Sequence, residues 1–262
     1  MIPAAFDLEG RVALVTGAGS PTGIGFATAR LLSSLGASVA LTATSERVLD
    51  RAADLRNDGT PTVGVTADLT DETQVDRLLS AVTAALGRPT VLVNNAGMTS
   101  VAVPGSGESG TVNGMSLDRW RLALARNLDT AFLTTRALLP GMLAEGWGRV
   151  VMVTSVTGPA MAMRGEAAYA SAKAGMVGLA RAAALDHAGD GVTVNAVAPG
   201  WIATSSQTED EVAQGRRTPV GRSAAPAEVA AAIAFLCSPG AAYVTGQCLV
   251  VDGGNSIAEE RA

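Results

Sequence analysis

Short runs rich in β-branched and apolar residues alternate with stretches of helical periodicity from Arg11 almost to the end of the chain, and this alternation leaves few folds open. The runs are Arg11–Thr16, Ser38–Thr42, Thr62–Thr66, Val91–Asn94, Arg149–Val153, Val192–Ala198 and Cys248–Val251. Most are apolar throughout, as strands buried on both faces must be. Between the first two, Ile24, Ala27, Leu31 and Leu35 share one helical face. Glu46–Leu55 is helical and stops near the turn Asn57-Asp58-Gly59, and Thr70–Leu86 turns Val75, Leu78, Leu79 and Val82 inward. A long helix is expected over Leu117–Leu143, opened by Ser116 and bent or ended early by Pro140 and Gly141. Ala167–His187 and Pro226–Leu236, the latter with proline in its first turn, complete the set. Strands separated by helices, with right-handed crossovers, predict one α/β domain: a doubly wound, Rossmann-like, seven-stranded parallel sheet with helices on both faces. No composition break marks a second domain within residues 1–262.

Hydrophobic residues make up 48% of the chain and charged ones 16%, which supports a large core and excludes disorder. A net charge of −5 leaves no electrostatic footprint for nucleic acid or an anionic membrane. Val150–Met163 is too short to span a bilayer. Met1–Gly10 carries Asp7 and Glu9 without a basic start, unlike a signal peptide. The thiols Cys237 and Cys248 suit a reducing compartment, so a soluble cytoplasmic protein is expected. His187 is the sole histidine and no Cys/His cluster exists, so no metal site is expected.

Met98–Met115 and Thr204–Arg222 fit no regular element. Both follow the carboxyl ends of predicted strands, the edge where open α/β sheets bind ligands. A substrate role is favoured for Thr204–Arg222. For Met98–Met115, binding and an inert surface loop are equally open.

Thr16-Gly17-Ala18-Gly19-Ser20-Pro21-Thr22-Gly23-Ile24-Gly25 joins the first strand to the first helix. Glycines there allow a tight turn and close approach of a pyrophosphate to helix-terminal N–H groups. The second strand ends in Thr42-Ala43-Thr44-Ser45-Glu46-Arg47, without the acid that holds NAD ribose hydroxyls at its tip. Thr44 and Ser45 offer hydroxyls and Arg47 a charge to a 2′-phosphate, which favours NADP. Ser45 also suits a helix cap, and a Glu46 turned inward would repel the phosphate.

Tyr169 and Lys173 stand four residues apart, on one face of a predicted helix. An ammonium beside a phenol lowers its pKa, making Tyr169 an acid toward a carbonyl or a base toward an alcohol. Alone, such a pair is a common surface motif. Ser155, directly after the fifth strand, adds a hydroxyl to hold the substrate oxygen, though serine is also ordinary in a turn.

These residues, with Asp68-Leu69, Asn94-Asn95-Ala96-Gly97, Asn127, Asn195, Pro199-Gly200 and Asp252-Gly253-Gly254 in order, make the sequence resemble the short-chain dehydrogenase/reductase family from about Val12 to Gly254. It is most similar to the bacterial 3-oxoacyl-acyl-carrier-protein reductase branch. The resemblance implies a dinucleotide-binding half over residues 10–155 and catalytic and substrate elements over residues 155–254. It implies that Ser155 orients the substrate, Tyr169 is the acid/base, and Lys173 tunes the phenol and binds the nicotinamide ribose. Asn127 would hold a relay water, Asp68 would bond adenine, and Thr204 would meet the carboxamide. Gly17, Gly19, Ser20, Thr22, Gly23, Ile24 and Gly25 would line the pyrophosphate side, and Leu69, Asn95, Ala96, Gly97, Pro199, Gly200 and Ile202 the rest of the cofactor site. From the residues alone, Asn127 is equally a buried helix polar group and Asp68 a helix cap. One departure stands out: five residues, Ala18 to Thr22, separate Gly17 from Gly23 where the family usually has three. The family commonly forms tetramers, so a homo-oligomer, dimer or tetramer, is expected.

The expected activity is NADP-dependent reduction of a ketone or β-ketoacyl carbonyl to a secondary alcohol, with NAD(H) possible. The alternatives are an NAD-dependent alcohol or sugar dehydrogenase and a non-catalytic dinucleotide-sensing protein.

Overall fold

The computed structural model describes residues 2–97 and 109–259. Its strands are β1 (Val12–Thr16), β2 (Ser38–Ala43), β3 (Thr62–Thr66), β4 (Val91–Asn94), β5 (Gly148–Val153), β6 (Val192–Pro199) and β7 (Cys248–Val251). All pair in parallel in the order β3-β2-β1-β4-β5-β6-β7. The sheet winds outward from β1 to β3, then restarts at β4 on the other side of β1. The crevice between the carboxyl ends of β1 and β4 is therefore the switch point where such folds take a ligand.

Alternate side chains of each strand feed opposite faces, as the pleat requires. Val15 and Leu41 join Leu8, Phe26 and Ile233 in one buried cluster, beneath α1 (Ile24–Ser34) and α8 (Pro226–Cys237). Leu14 and Leu92 join Leu78, Met142, Met152 and Met176 in the other, beneath α3 (Glu72–Leu86), α5 (Thr130–Glu145) and α6 (Ala167–His187). Each fully buried aliphatic side chain contributes roughly 1.5–3 kcal/mol, so the central strands are fixed from both sides. Helix α2 (Arg47–Asn57) follows β2.

Three elements differ from the sequence expectation. The long helix runs without interruption from Leu117 to Glu145 as α4 (Leu117–Leu124), a π turn over Ala125–Asp129 and then α5, so its irregular turn lies well before Pro140. Proline does not end α5, which runs on to a left-handed cap at Gly146. Met142, two residues past Pro140, is fully buried and lies where a side chain on Gly148 would have to go. That packing outweighs the hydrogen bond proline removes. Finally, Thr204–Arg222 is not wholly irregular: it contains α7 (Glu209–Arg216), opened by Thr208 and Glu211 in a reciprocal capping box. Polar composition hid a helix whose start signal was nonetheless present. Of Met98–Met115, residues 98–108 lie outside the described residues.

If Met142 anchors the end of α5, Met142→Ala should destabilise the protein by about 2–5 kcal/mol. Urea unfolding measures it, and a loss below about 1 kcal/mol would show that other contacts carry the helix past Pro140.

Candidate active site

The Thr16 hydroxyl fastens the switch point. It donates to the Val93 carbonyl at 3.3 Å and accepts from the backbone N–H of Asn95 at 3.0 Å and of Ala96 at 2.8 Å. The Asn95 side chain returns the connection, donating to the carbonyls of Thr16 at 3.0 Å and Gly17 at 3.1 Å. Two adjacent strands are thus tied just where each turns away, and the turns lie so close that side chains do not fit. Gly17 has φ +66°, and a Cβ there would stand 2.8 Å from the Ala96 Cα. One on Gly25 would stand 2.6 Å from the Asn95 amide nitrogen.

Helix α1 begins at Ile24 behind Gly23, with no side-chain cap and no acid in its first turn. Its leading N–H groups stay available to an anion, and the helix dipole favours one. Gly19 faces the end of β2: a Cβ there would lie 3.1 Å from the Ala43 Cβ and 3.9 Å from the Ser45 Oγ. Arg47 Nε donates to Ser45 Oγ at 3.2 Å, so guanidinium and hydroxyl stand together beside the glycine loop. The pair suits a 2′-phosphate. Thr44 and Glu46 are exposed. An uncapped helix start, a side-chain-free turn and a cation at the tip of β2 together fit a dinucleotide with a 2′-phosphate.

The longer glycine loop has a visible consequence. Its Thr22 hydroxyl accepts a hydrogen bond from the Ser205 N–H at 3.1 Å, joining the loop to the segment after β6. Thr204, beside it, pairs its hydroxyl with that of Ser206 at 2.9 Å, and its N–H with the Ile202 carbonyl. Pro199 ends β6, and Gly200 abuts Asp252 so tightly that a Cβ would lie 2.7 Å from that residue's Cβ. At the other end of the crevice Asp68 is exposed, with Oδ1 accepting from the Thr70 N–H and hydroxyl. It does not cap α3: that position is taken by Asp71. Leu69 is buried in the core.

Ser155, Tyr169, Lys173 and Asn127 meet across β5, α6 and the π turn. Tyr169 and Ser155 share a side-chain hydrogen bond, and Ser155 Oγ also accepts from the Thr157 N–H at 3.1 Å. Lys173, one turn along α6, is buried, with Nζ 5.6 Å from the Tyr169 ring centre and donating to the Val153 carbonyl at 3.1 Å. Asn127 is fully buried in the π turn, and its amide donates to the Ala123 carbonyl at 3.1 Å. Gly97, at φ +142°, is where Asn127 and Lys173 converge. A Cβ on it would lie 2.8 Å from Asn127 Oδ1 and 3.1 Å from Lys173 Nζ. π turns insert one extra residue and recur at functional sites, and here the turn carries the asparagine.

Burial controls the electrostatics. It pushes the Tyr169 phenol up to about 12, against the pull of the Ser155 hydrogen bond, and the carboxylates of Glu166 and Glu211 push the same way. Burial brings Lys173 down to about 8. The phenol acidified by its ammonium, expected from the i, i+4 spacing, is therefore not the state found here. Desolvation of a phenolate dominates, and Lys173 is not among the groups that shift the phenol. Glu166 and Glu211 escaped the sequence reading. Glu166 stands three residues before Tyr169, a spacing that brings two residues together on a helix, whereas Glu211 reaches the site only through α7.

Other motif residues prove structural. Asn195 donates to the Val244 carbonyl at 2.7 Å and accepts from the Gln247 N–H at 3.0 Å, holding the chain that leads into β7. Asn94 is bonded to Thr134 and Thr135 of α5. Asp252 closes the turn after β7 through the N–H groups of Gly254 and Ser256. Among the described residues no cluster of His, Cys, Asp and Glu could hold a metal.

Residues 17–256 match the family model described as Enoyl-(Acyl carrier protein) reductase. The chain belongs to the short-chain dehydrogenase/reductase family. Within it, the chain is 40% identical to a 3-oxoacyl-[acyl-carrier-protein] reductase of Vibrio cholerae, covering 95% of this chain and 98% of that one. It is also 40% identical to cis-4-hydroxycyclohexanecarboxylate dehydrogenase of Sinomonas cyclohexanicum, covering 93% and 96%. Among solved members of the family, it matches a putative NAD(P)-dependent gluconate 5-dehydrogenase of Beutenbergia cavernae with bound NADP, with TM-score 0.87 and 38% identity, over 97% of this chain and all of the other.

Lys173 supplies a sign-definite test. Burial lowers its folded-state pKa from 10.5 to about 8, so between those values the unfolded chain binds more protons and stability rises with pH. Below about pH 8 the full penalty stands. Between pH 10 and pH 7, wild type should therefore lose about 2–3 kcal/mol relative to Lys173→Met, measured by urea unfolding. A pH-independent difference would show that Lys173 is not desolvated.

Proposed function

We propose that this protein is an NADP-dependent oxidoreductase that reversibly reduces a ketone or β-ketoacyl carbonyl to a secondary alcohol. The observation that carries this reading is the grouping of Ser155 with Tyr169, of Tyr169 with Lys173, and of Lys173 with Asn127 over Gly97, beside a glycine loop whose neighbour at the tip of β2 is cationic. The portion up to about residue 155 holds the cofactor, and residues 155–254 supply the catalytic and substrate elements.

NADP(H), when bound, supplies or accepts the hydride. The protein's own work is to place and move a proton. Ser155 Oγ holds the substrate oxygen beside the Tyr169 hydroxyl. With its pKa near 12, that hydroxyl keeps its proton at neutral pH until a developing alkoxide claims it. Lys173, still an ammonium at pH 7, steadies the phenolate left behind, and Asn127 orients a water through which the proton is restored. In the oxidative direction the same groups run in reverse. Gly17, Gly23 and the start of α1 receive the pyrophosphate, Ser45 and Arg47 the 2′-phosphate, and Thr204 the carboxamide.

A β-ketoacyl thioester or a cyclic ketone is the preferred substrate class. The 3-oxoacyl reductase and cyclohexanecarboxylate dehydrogenase relatives support it, and Arg216 and Arg217 at the end of α7 would greet an anionic carrier. An NAD-dependent sugar or alcohol dehydrogenase is the alternative: Glu46 at the tip of β2 favours its cofactor, and the gluconate dehydrogenase likeness its substrate class, although that relative holds NADP. A purely dinucleotide-sensing protein has no need of the assembled Ser155, Tyr169 and Lys173. A homo-oligomer, dimer or tetramer, is expected: α4 and α5 expose Leu117 and Phe132, and Gly178 of α6 faces open space, whereas Gly175 is occupied by Leu128 of the same chain. Cys237 and Cys248 are free thiols, and no described helix is long and apolar enough to cross a membrane, in keeping with a cytoplasmic setting.

A screen of β-ketoacyl thioesters, cyclic ketones and steroids, read by NADPH absorbance, tests the reaction class. Tyr169→Phe should lower kcat by about 10²–10⁴-fold while leaving NADPH affinity nearly unchanged; near wild-type turnover would refute the proton-transfer assignment. In wild type the reductive rate should fall as pH rises past about 8, where Lys173 loses its proton. Arg47→Glu should reduce kcat/KM for NADPH about tenfold or more while sparing NADH, and equal losses with both cofactors would remove Arg47 from 2′-phosphate recognition.

A further inference from the structure

At the opposite, amino-terminal edge of the sheet, the start of β5 carries a buried cation without an acidic partner. Arg149 is 3% exposed, and its guanidinium donates to the carbonyls of Ser238, Gly148 and Gly191 through Nε and Nη1. Among the described residues Nη2 has no acceptor. Arg149 stacks on Trp147 with Cζ 4.5 Å from the ring centre, and Arg11 stacks on the same indole at 3.9 Å. Among the described residues no carboxylate lies within 4.0 Å of either guanidinium, and the Arg11 side chain makes no hydrogen bond. Burial disfavours the cationic form of Arg149, and the Arg11 charge adds to that. Two like charges sharing one tryptophan are an uncompensated arrangement that an anion would relieve.

A cleft of about 550 Å³ opens beside them, lined by Trp147, Arg149, Thr193, Tyr243 and Thr245 among others, with Arg149 its one charged lining residue among the described residues. The Thr193 hydroxyl is buried there without a hydrogen-bond partner, and Tyr243 is fully exposed. Thr193 stands opposite Arg149 in the β5–β6 ladder, so both side chains leave the same face of the sheet. Buried polar groups are normally satisfied. A guanidinium edge and a free hydroxyl in a cleft flanked by two aromatic rings match an oxyanion carried on an aromatic ring.

We propose that this cleft is a second binding site, separate from the catalytic crevice, for a small aromatic carboxylate or phosphate monoester. The oxyanion meets Arg149 Nη2 and the Thr193 hydroxyl, and the ring lies between Trp147 and Tyr243.

Calorimetric titration of phenyl phosphate and of benzoate into the protein saturated with NADPH tests it, because the saturating cofactor occupies the other anion site. Saturable binding at one site is expected, about tenfold weaker in Arg149→Met and several-fold weaker in Thr193→Val and Tyr243→Ala. Should Arg149→Met fail to fold, the other two variants decide, since Thr193→Val keeps its shape and Tyr243 is at the surface. No saturable heat with either probe up to about 10 mM, or unchanged affinity in both Thr193→Val and Tyr243→Ala, would overturn the site. Inorganic phosphate binding as tightly as phenyl phosphate would overturn the aromatic requirement.

Discussion

A single hydroxyl, that of Thr16, holds together the place on which everything else in the catalytic crevice depends. In a doubly wound sheet, β1 and β4 diverge at their carboxyl ends because their following connections leave on opposite sides. The crevice exists only if the two ends are kept in register while their loops part. Thr16 does this with one donated and two accepted hydrogen bonds, and Asn95 answers with two more. Because these bonds draw the loops to van der Waals distance, Gly17 and Gly25 must lack side chains. The glycines are thus a consequence of strand stitching as much as of cofactor approach.

The second constraint is dryness. Lys173 is held where water does not reach and Tyr169 is partly enclosed beside it, and each is moved against its charged form: the amine toward neutrality, the phenol away from ionisation. Neither group is poised as a free base at neutral pH. The site stores an amine ready to give up its charge next to a phenol that keeps its proton. Charge developing on a bound substrate is then what makes ionisation of the phenol favourable. Glu166 and Glu211 reinforce this by disfavouring a second negative charge nearby.

Much of this was legible in residue order. Strand positions, the parallel sheet, Ser116 as a cap and the approach of Ser155 to Tyr169 all follow from local patterns. Other features were not. Met142 carries α5 past Pro140 because a core contact outweighs a missing hydrogen bond, and no window of sequence weighs those terms. The start of α7 was encoded in Thr208 and Glu211 but masked by its polar surroundings. Asp68, open between cap and ligand, turns out to leave the cap to Asp71. The expected acidification of Tyr169 failed for a reason outside the motif: spacing fixes the neighbour, whereas pKa depends on how much water remains.

By itself the sequence determined the period of each segment, the glycines that permit tight turns, and the order of chemically able side chains along the chain. These are local quantities, set by backbone sterics and by the alternation of apolar residues. Tertiary structure alone decided which distant groups share a volume: Asn127 with Lys173 over Gly97, Thr22 with Ser205, Arg11 with Arg149 over Trp147. It also decided how dry each volume is. Proximity and dielectric come from packing the whole chain at once, so no short stretch of residues carries them.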